Sequence, residues 1–189
     1  MTDYKYNSQV GQDKWVLKNL NYKQNGVFID IGSGHPVYIN NTFLLEREFG
    51  WTGLSFDNGP VGGGVPVPKE MEPIKTEEQY INIWKSARAT PLICQDALQV
   101  DYEEVFKENG LPMIIDYLSM DLEPPLVTYE CLLKIPFEEY RFNVITFETD
   151  FYRQTQTREP SRELLNRHGY ILKKESRQED WWVHKSFMT

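Results

Sequence analysis

The segment VFIDIGSG, residues 27–34, decides the fold of this chain. Its first five residues form an apolar run broken only by Asp30, as expected of a strand that is buried on both faces of a sheet. Gly32 and Gly34 follow at once, and glycine allows a ligand to approach the backbone closely. The segment therefore predicts a buried strand that ends in a glycine turn.

Strand and helix patterns alternate along the chain beyond this segment. Strands separated by helices predict an α/β fold, with a mostly parallel sheet covered by helices on both faces. The last two strands are close enough in sequence to pair antiparallel. The glycine- and proline-rich stretch 59–69 predicts a loop. Further strands are predicted at 53–56, 91–94, 113–120, 142–148, 170–174 and 181–185, and helices at 43–49, 102–109, 124–135 and 160–168.

The composition predicts one acidic domain, spanning residues 1–189, with a formal net charge of -8. Such a chain is poorly suited to bind nucleic acid or an anionic membrane. No apolar run reaches the roughly 20 residues that span a bilayer, and the start, MTDYKYNSQV, lacks the apolar core of a signal peptide. Two cysteines, Cys94 and Cys131, cannot build a disulfide framework. We therefore expect a soluble cytoplasmic protein.

The predicted strand ends carry acids. In open α/β sheets, ligands bind beyond the carboxyl ends of the strands, so these acids are candidate site residues. A site lined by carboxylates suits a cation, a metal ion or a polyhydroxylated ligand better than a bare phosphate. The acids are Asp30, Asp57, Asp96, Asp121, Glu123, Glu148 and Asp150.

The glycine turn differs from a dinucleotide-binding fingerprint. Val37 stands where the third glycine would be, and Asp30 would repel a pyrophosphate. The form acid-x-Gly-x-Gly favours a ligand with an ammonium group and a ribose, whose hydroxyls could be bound by Asp57. S-adenosylmethionine has both groups and a sulfonium charge. An NAD(P)-linked oxidoreductase and a tight turn without any ligand remain as alternatives.

Six motifs in order give the chain a family resemblance. They are SQVGQD (8–13), GVFIDIGSG (26–34), the stretch 40–57, DYLSMDLE (116–123), the stretch 136–148, and SRELLNRHGY followed by DWWVH (161–184). In these motifs the sequence resembles the FkbM-type methyltransferases over nearly its whole length. The resemblance implies a class I, Rossmann-like S-adenosylmethionine-dependent fold, with seven strands and an antiparallel last strand. It also implies O-methylation, commonly of sugar or polyketide hydroxyls.

The resemblance also implies roles for individual residues. Asp30 and the glycine loop would hold the methionine end of the cofactor, Asp57 the ribose, and Asp96 with Ala97 the adenine. The amino-terminal motif would close over the cofactor. Two departures stand out, since Pro124 follows Glu123 where the family has glycine, and His35-Pro36 replaces a small or acidic residue. The implied cofactor-binding set is Ser8, Gln9, Gln12, Asp13, Asp30, Gly32, Ser33, Gly34, Asn41, Thr42, Asp57, Asp96 and Ala97.

Methyl transfer to a hydroxyl group requires a base or a metal ion, because an alcohol is a weak nucleophile near neutral pH. Asp121 is the first candidate for either role, with Glu148 and Asp150 beside it as helpers. The same three carboxylates would suit Mg²⁺, Mn²⁺ or Ca²⁺, which take oxygen ligands. His35 is an alternative base, since histidine titrates near neutrality. The competing interpretation is that one or two of these acids merely cap helices.

The acceptor is predicted from the loops and aromatic residues. Phe151 and Tyr152 could stack against a sugar ring, and only one of Trp181 and Trp182 is expected to face the core. We therefore predict an O-methyltransferase acting on a small molecule, a sugar or a glycan. It could be a domain of a glycosyltransferase, or work beside one. A non-catalytic module that binds S-adenosylmethionine is the alternative, and the oligomeric state stays open.

Overall fold

The computed structural model describes residues 4–60, 73–153 and 155–188. These residues contain six α-helices: α1 Gln12–Asn19, α2 Phe43–Phe49, α3 Glu77–Ala87, α4 Tyr102–Glu108, α5 Pro125–Leu132 and α6 Arg158–Arg167. They contain seven strands: β1 Val27–Ile31, β2 Thr52–Asp57, β3 Leu92–Cys94, β4 Ile114–Met120, β5 Arg141–Glu148, β6 Tyr170–Glu175 and β7 Glu179–His184. Two short 3-10 helices, Ala97–Gln99 and Lys185–Phe187, complete the elements.

The strands have the sheet order β3-β2-β1-β4-β5-β7-β6. Strands β1 with β2, β2 with β3, and β4 with β5 pair in parallel. Strand β7 runs antiparallel to both β5 and β6. The predicted fold class, a mostly parallel seven-stranded α/β sheet with an antiparallel end, is confirmed. The chain divides into two compact units, Met1–Asp96 and Ala97–Thr189, and the single domain predicted from length stays a prediction.

In the first unit, β1 and β2 form the buried centre and α2 follows the glycine turn. Phe28, Ile29 and Phe56 have no exposed surface. The Oδ1 of Asn40 caps α2 by accepting from the backbone N–H groups of Thr42 and Phe43. Helices α1 and α3 were not predicted from the sequence. The two hydrogen bonds accepted by Asn40 therefore join the start of α2 to the segment that follows the glycine turn.

In the second unit, β7 lies between β5 and β6 and is buried along its whole length. The expectation that only one of the two adjacent tryptophans lies in the core is therefore wrong, since both are buried. Trp181 and Trp182 are 2% and 1% exposed, because both faces of an interior strand are covered. Lys174 lies over the ring of Trp181. These aromatics belong to the core rather than to an acceptor surface.

The same unit contains a buried ion-pair cluster at the start of α6. The carboxylate of Asp180 is fully buried and accepts from the guanidinium groups of both Arg158 and Arg162, at 2.6 Å in each case. A charge buried this deeply is stable only when it is paired, so the two arginines fix α6 against β7. The cluster is structural, and it lies outside the predicted site.

Two further predictions concern the surface of the chain. Residues 61–69 of the predicted loop lie outside the described residues, and its first residue, Gly59, donates its backbone N–H to Asp57. Among the helices that the structure describes, none has the length and apolar character needed to cross a bilayer. The cytoplasmic location stays a prediction.

Candidate active site

The glycine turn after β1 continues the hydrogen bonding of the sheet. The backbone N–H groups of Gly32 and Ser33 both donate to the carbonyl of Phe56 on β2, at 2.9 and 3.2 Å. Gly34 has a φ of +61°, which favours glycine, and a Cβ built there would meet no atom of the described residues within 4 Å. The turn is therefore held firmly on the strand side and is open beside Gly34.

Asp57, at the end of β2, is bound to this turn. Its Oδ2 accepts from the backbone N–H of Gly34 at 2.8 Å, and its Oδ1 accepts from that of Gly59 at 2.7 Å. Burial raises the pKa of Asp57, and the two amide donors and the hydroxyl of Tyr80 oppose that rise. The carboxyl group that the sequence assigns to ribose is thus fixed in position next to the glycine turn.

Tyr80 is a site residue that the sequence analysis missed. It is fully buried on α3, and its hydroxyl donates to the carbonyl of Gly34 at 2.5 Å. The signal was present in the sequence, since Thr76 caps a helix in which Tyr80 and Trp84 are four residues apart. Helix α3 therefore supports the glycine turn from a distance of 46 residues along the chain.

Asp30 is held from the other side of the turn. It is 1% exposed, and its Oδ2 accepts from the hydroxyl of Thr42 at 2.8 Å. The hydroxyl of Ser33 donates to the backbone carbonyl of Asp30 at 2.9 Å. Thr42 and Ser33 were both predicted as site residues, and in the structure they fix the acid rather than presenting open donors of their own.

A buried arginine, also missed from the sequence, organises this half of the site. The side chain of Arg88 is fully buried and pairs with Glu46 at 2.7 Å. It also donates to the carbonyl of Pro36 and to the side-chain oxygens of Asn40 and Thr42. Burial alone would raise the pKa of Glu46, but Arg88 and its other donors lower it. No local pattern marks Arg88, because its partners are 42 to 52 residues away.

The amino-terminal motif folds onto a buried acid of α1. Both carboxylate oxygens of Asp13 accept hydrogen bonds from residues 7 and 8, the hydroxyl of Ser8 donating at 2.5 Å. The side-chain amide of Asn7 donates to the carbonyl of Val37, so the motif lies beside the loop that follows the glycine turn. Gln12 is buried, and Gln9 is exposed. Their binding of a cofactor stays a prediction.

Three other residues of the predicted cofactor site are Asn41, Asp96 and Ala97. Asn41 is buried beside Thr42. Asp96 is exposed and follows β3 by two residues. Ala97 is buried at the start of a 3-10 helix, and its carbonyl accepts from the hydroxyl of Tyr102. The roles of these three residues in cofactor binding stay predictions.

A second group of predicted residues meets in the other unit, after β4 and β5. One carboxylate oxygen from each of Glu123, Glu148 and Asp150 lies within 4.8 Å of the others. Glu148 is also hydrogen-bonded to Asp121. Arg153 donates to Glu123 at 2.6 Å and to Asp150 at 2.9 Å. Four acids and one arginine therefore converge, and Arg153 is an addition to the predicted set.

Glu148 is the strongly perturbed member of this cluster. Burial raises its pKa well above the ordinary range, and the nearby charges of Asp121, Asp150 and Glu123 raise it further. At neutral pH Glu148 therefore holds a proton, which it donates in the hydrogen bond to Asp121. The second oxygen of Glu148, Oε2, and Oδ1 of Asp150 are buried without a hydrogen-bond partner among the described residues. The cluster can accept a proton or hold a cation.

The raised pKa of Glu148 predicts a pH-dependent stability. Because the folded state keeps a proton that the unfolded state loses above its ordinary pKa, stability falls as pH rises from about 5, by at most about 1.4 kcal/mol per pH unit. Glu148→Gln keeps an N–H donor for Asp121 and cannot ionise. We expect the variant to gain stability over the native protein as pH rises from 5 to 8, as followed by thermal unfolding. A stability difference independent of pH would contradict the protonated state.

Comparisons with known proteins bear on the fold. No family model matches the sequence, and a search of curated proteins gives no match. The O-methyltransferase NovP is similar at 11% identity and a TM-score of 0.58, over 92% of this chain and 78% of that chain. A precorrin-6y C5,15-methyltransferase from Geobacter metallireducens GS-15 is similar at 13% identity and a TM-score of 0.55, over 97% of this chain and 93% of that chain. The METTL16 methyltransferase domain is similar at 14% identity and a TM-score of 0.55, over 90% of this chain and 64% of that chain.

These similarities establish the class of fold. The fold of this chain, a seven-stranded sheet in which β7 is antiparallel to its neighbours, is similar to that of these methyltransferase structures. The neighbours include an O-methyltransferase and a C5,15-methyltransferase, so the fold alone does not identify a reaction or a substrate. The resemblance to the FkbM family stays a prediction.

Proposed function

We propose that this protein is an S-adenosylmethionine-dependent O-methyltransferase whose acceptor is a hydroxyl group of a sugar or glycan. The observation that carries the proposal is the Asp57 carboxylate, bound to the backbone of Gly34 in a turn that starts from buried Asp30. Two fixed carboxylates flanking an open glycine turn match a ligand with an ammonium group and a ribose diol. They oppose a pyrophosphate, which disfavours the NAD(P)-linked alternative.

The residues present fit the cofactor. The open space beside Gly34 leaves room for a ligand at the turn, where a side chain would otherwise stand. Asp30 would bind the ammonium group and Asp57 the ribose hydroxyls, with Asp96 and Ala97 toward the adenine. When bound, the cofactor supplies an electrophilic methyl group on a positively charged sulfur.

The acidic cluster provides the base in this proposal. Asp121 would take the proton of the acceptor hydroxyl, and a positioned general base of this kind contributes about 10²–10⁴-fold in rate. The cofactor would supply the methyl group, and its sulfur would leave as the neutral thioether of the demethylated product. Glu148 keeps its own proton and donates to Asp121, which orients the carboxylate. Alignment of the reacting atoms supplies much of the remaining acceleration.

The residues after β5 support a sugar acceptor. Phe151 and Tyr152 are partly exposed, at 37% and 51%, directly after the buried Asp150. Arg177 lies over the ring of Tyr152. Aromatic faces next to carboxylates and guanidinium groups offer both stacking and hydrogen bonds, the two contacts that a polyhydroxylated ring makes.

A cation in the acidic cluster is the second candidate for activating the hydroxyl. The grouping of Glu123, Glu148 and Asp150 within 4.8 Å favours Mg²⁺, Mn²⁺ or Ca²⁺. Such an ion would replace Arg153 between two of the acids, and Glu148 would lose its proton to bind it. Glu148→Gln separates the two candidates. An acid–base pair tolerates this change to within about tenfold in turnover, whereas a cation site loses a ligand and its response to added Mg²⁺.

The proposal is tested by methyl transfer itself. The protein is incubated with S-adenosylmethionine carrying an isotopically labelled methyl group and a panel of glycosides, and the acceptors are analysed by mass spectrometry. We expect the label on a hydroxyl oxygen of at least one glycoside, with one demethylated cofactor formed for each methyl transferred. Tight binding of the cofactor with no transfer to any glycoside, alcohol or phenol would favour the non-catalytic module instead.

A further inference from the structure

His35, next to the glycine turn, has a buried imidazole whose two nitrogens differ sharply. The side chain is 3% exposed. Its Nδ1 accepts from the backbone N–H groups of Val37 and Tyr38, both at 3.1 Å. Its Nε2 is buried and has no hydrogen-bond partner among the residues that the structure describes.

These contacts fix the tautomer. A nitrogen that accepts two N–H groups carries no proton, so the single proton of the neutral ring is on Nε2. Burial lowers the pKa of His35, which keeps the ring neutral at physiological pH. The Nε2–H group therefore donates and does not accept, and this geometry disfavours the role of base that the sequence analysis considered for His35.

A buried donor without an acceptor is unusual, because folded proteins pair nearly all of their buried polar groups. The position of this donor is also fixed with respect to the glycine turn. The side-chain amide of Asn40 donates to the carbonyls of both Ser33 and His35, at 2.9 and 3.2 Å. Arg88 holds the next carbonyl, that of Pro36. The backbone that carries this donor is thus fixed one residue beyond Gly34.

We propose that the Nε2–H of His35 donates a hydrogen bond to the carboxylate at the amino-acid end of the cofactor. The inference rests on the proposed function and extends it to the carboxylate of the cofactor, which the acidic side chain of Asp30 cannot bind. The ammonium and carboxylate groups of that end share one carbon atom, so a site that matches the first with an acid needs a donor for the second. A neutral imidazole supplies that donor without attracting the ammonium-binding acid into an ion pair.

Access to Nε2 requires a neighbouring group to move, because the atom is covered. Tyr38 is the neighbour suited to this movement, since its ring contacts the imidazole at a centroid distance of 4.8 Å and is 42% exposed. Ile39, the next residue, has a φ of +45°, a conformation that a β-branched residue rarely adopts. The segment that contacts the imidazole is therefore exposed and strained.

The test compares two variants and two ligands by calorimetry. His35→Asn keeps an oxygen that can accept from the amides of Val37 and Tyr38, as asparagine does in turns, but it removes the Nε2 donor. The ligands are S-adenosylmethionine and its decarboxylated form. We expect the variant to bind S-adenosylmethionine about 10- to 100-fold more weakly than the native protein, the loss of one hydrogen bond to a charged group. Its affinity for the decarboxylated ligand should be unchanged.

A second variant and a spectroscopic measurement complete the test. His35→Gln places an amide N–H near the position of Nε2, so it should recover part of the preference for the carboxylate. In the native protein, nuclear magnetic resonance of the imidazole should show the proton on Nε2 and a downfield shift of that proton when the cofactor binds. Equal losses for both ligands, or no loss in His35→Asn, would overturn the inference while leaving the proposed function intact. A native protein that binds neither ligand would overturn both.

Discussion

Asp121→Asn is expected to lower turnover by about 10²–10⁴-fold while the affinity for S-adenosylmethionine stays within about twofold of the native value. The amide keeps the shape of the carboxylate but cannot take the proton of the acceptor hydroxyl. Glu148 next to it holds a proton already, so it cannot serve as the replacement base at neutral pH. Turnover is measured by methyl transfer at saturating cofactor, and affinity by calorimetry on the same preparations.

A matched control uses another aspartate of the same unit. Asp101 caps α4 by accepting from the backbone N–H of Glu104, and asparagine caps helices about as well as aspartate. Asp101→Asn should therefore leave both turnover and affinity unchanged. If Asp121→Asn kept full turnover, the catalytic role of this carboxylate would have to be abandoned.

Asp57→Ala is expected to weaken the binding of S-adenosylmethionine by about 10²–10⁴-fold. The reason is the loss of two hydrogen bonds from the ribose hydroxyls to a carboxylate, each contributing about 1.5–3 kcal/mol. The variant also releases the amides of Gly34 and Gly59, so a second ligand is needed to separate the two effects. This ligand is 5′-methylthioadenosine, which keeps the adenosine and lacks the amino-acid end.

The two ligands give different answers for different roles of Asp57. A carboxylate that binds ribose predicts a loss of about 10²–10⁴-fold for 5′-methylthioadenosine as well. A residue that only holds the glycine turn predicts a loss for S-adenosylmethionine and none for 5′-methylthioadenosine, and that result would contradict the assignment. Thermal unfolding of the variant, compared with that of the helix-cap variant Asp101→Ala, shows whether the fold is intact.

The sheet could be predicted from the sequence because its determinants are local. The strands at 27–31, 114–120 and 141–148 are rich in apolar and β-branched residues, and glycines in the left-handed region follow α2 and α4. Helix α3 was missed although its signal was present in the Tyr80 and Trp84 pair. The burial of Trp181 and Trp182 together was not predictable, since it depends on which strand lies at the edge of the sheet.

The site was predicted less completely, for a physical reason. The acids that follow the strands are visible in the sequence, and the structure groups Asp121, Glu148 and Asp150 together. Which of them holds a proton depends on burial and on the charges around it, and neither can be derived from residue types. Arg88 and the tautomer of His35 are set by contacts between segments far apart in the chain, or by backbone groups that carry no sequence signature.

The central claim is that the glycine turn, with Asp30 and Asp57, binds S-adenosylmethionine. The most direct measurement is a calorimetric titration of the native protein with S-adenosylmethionine and with its demethylated product, and NAD is titrated in parallel. We expect micromolar binding of the first two ligands, at one site per chain, and no binding of NAD. Binding of NAD, or the absence of heat with both sulfur compounds, would contradict the assignment and require another ligand for the acidic strand ends.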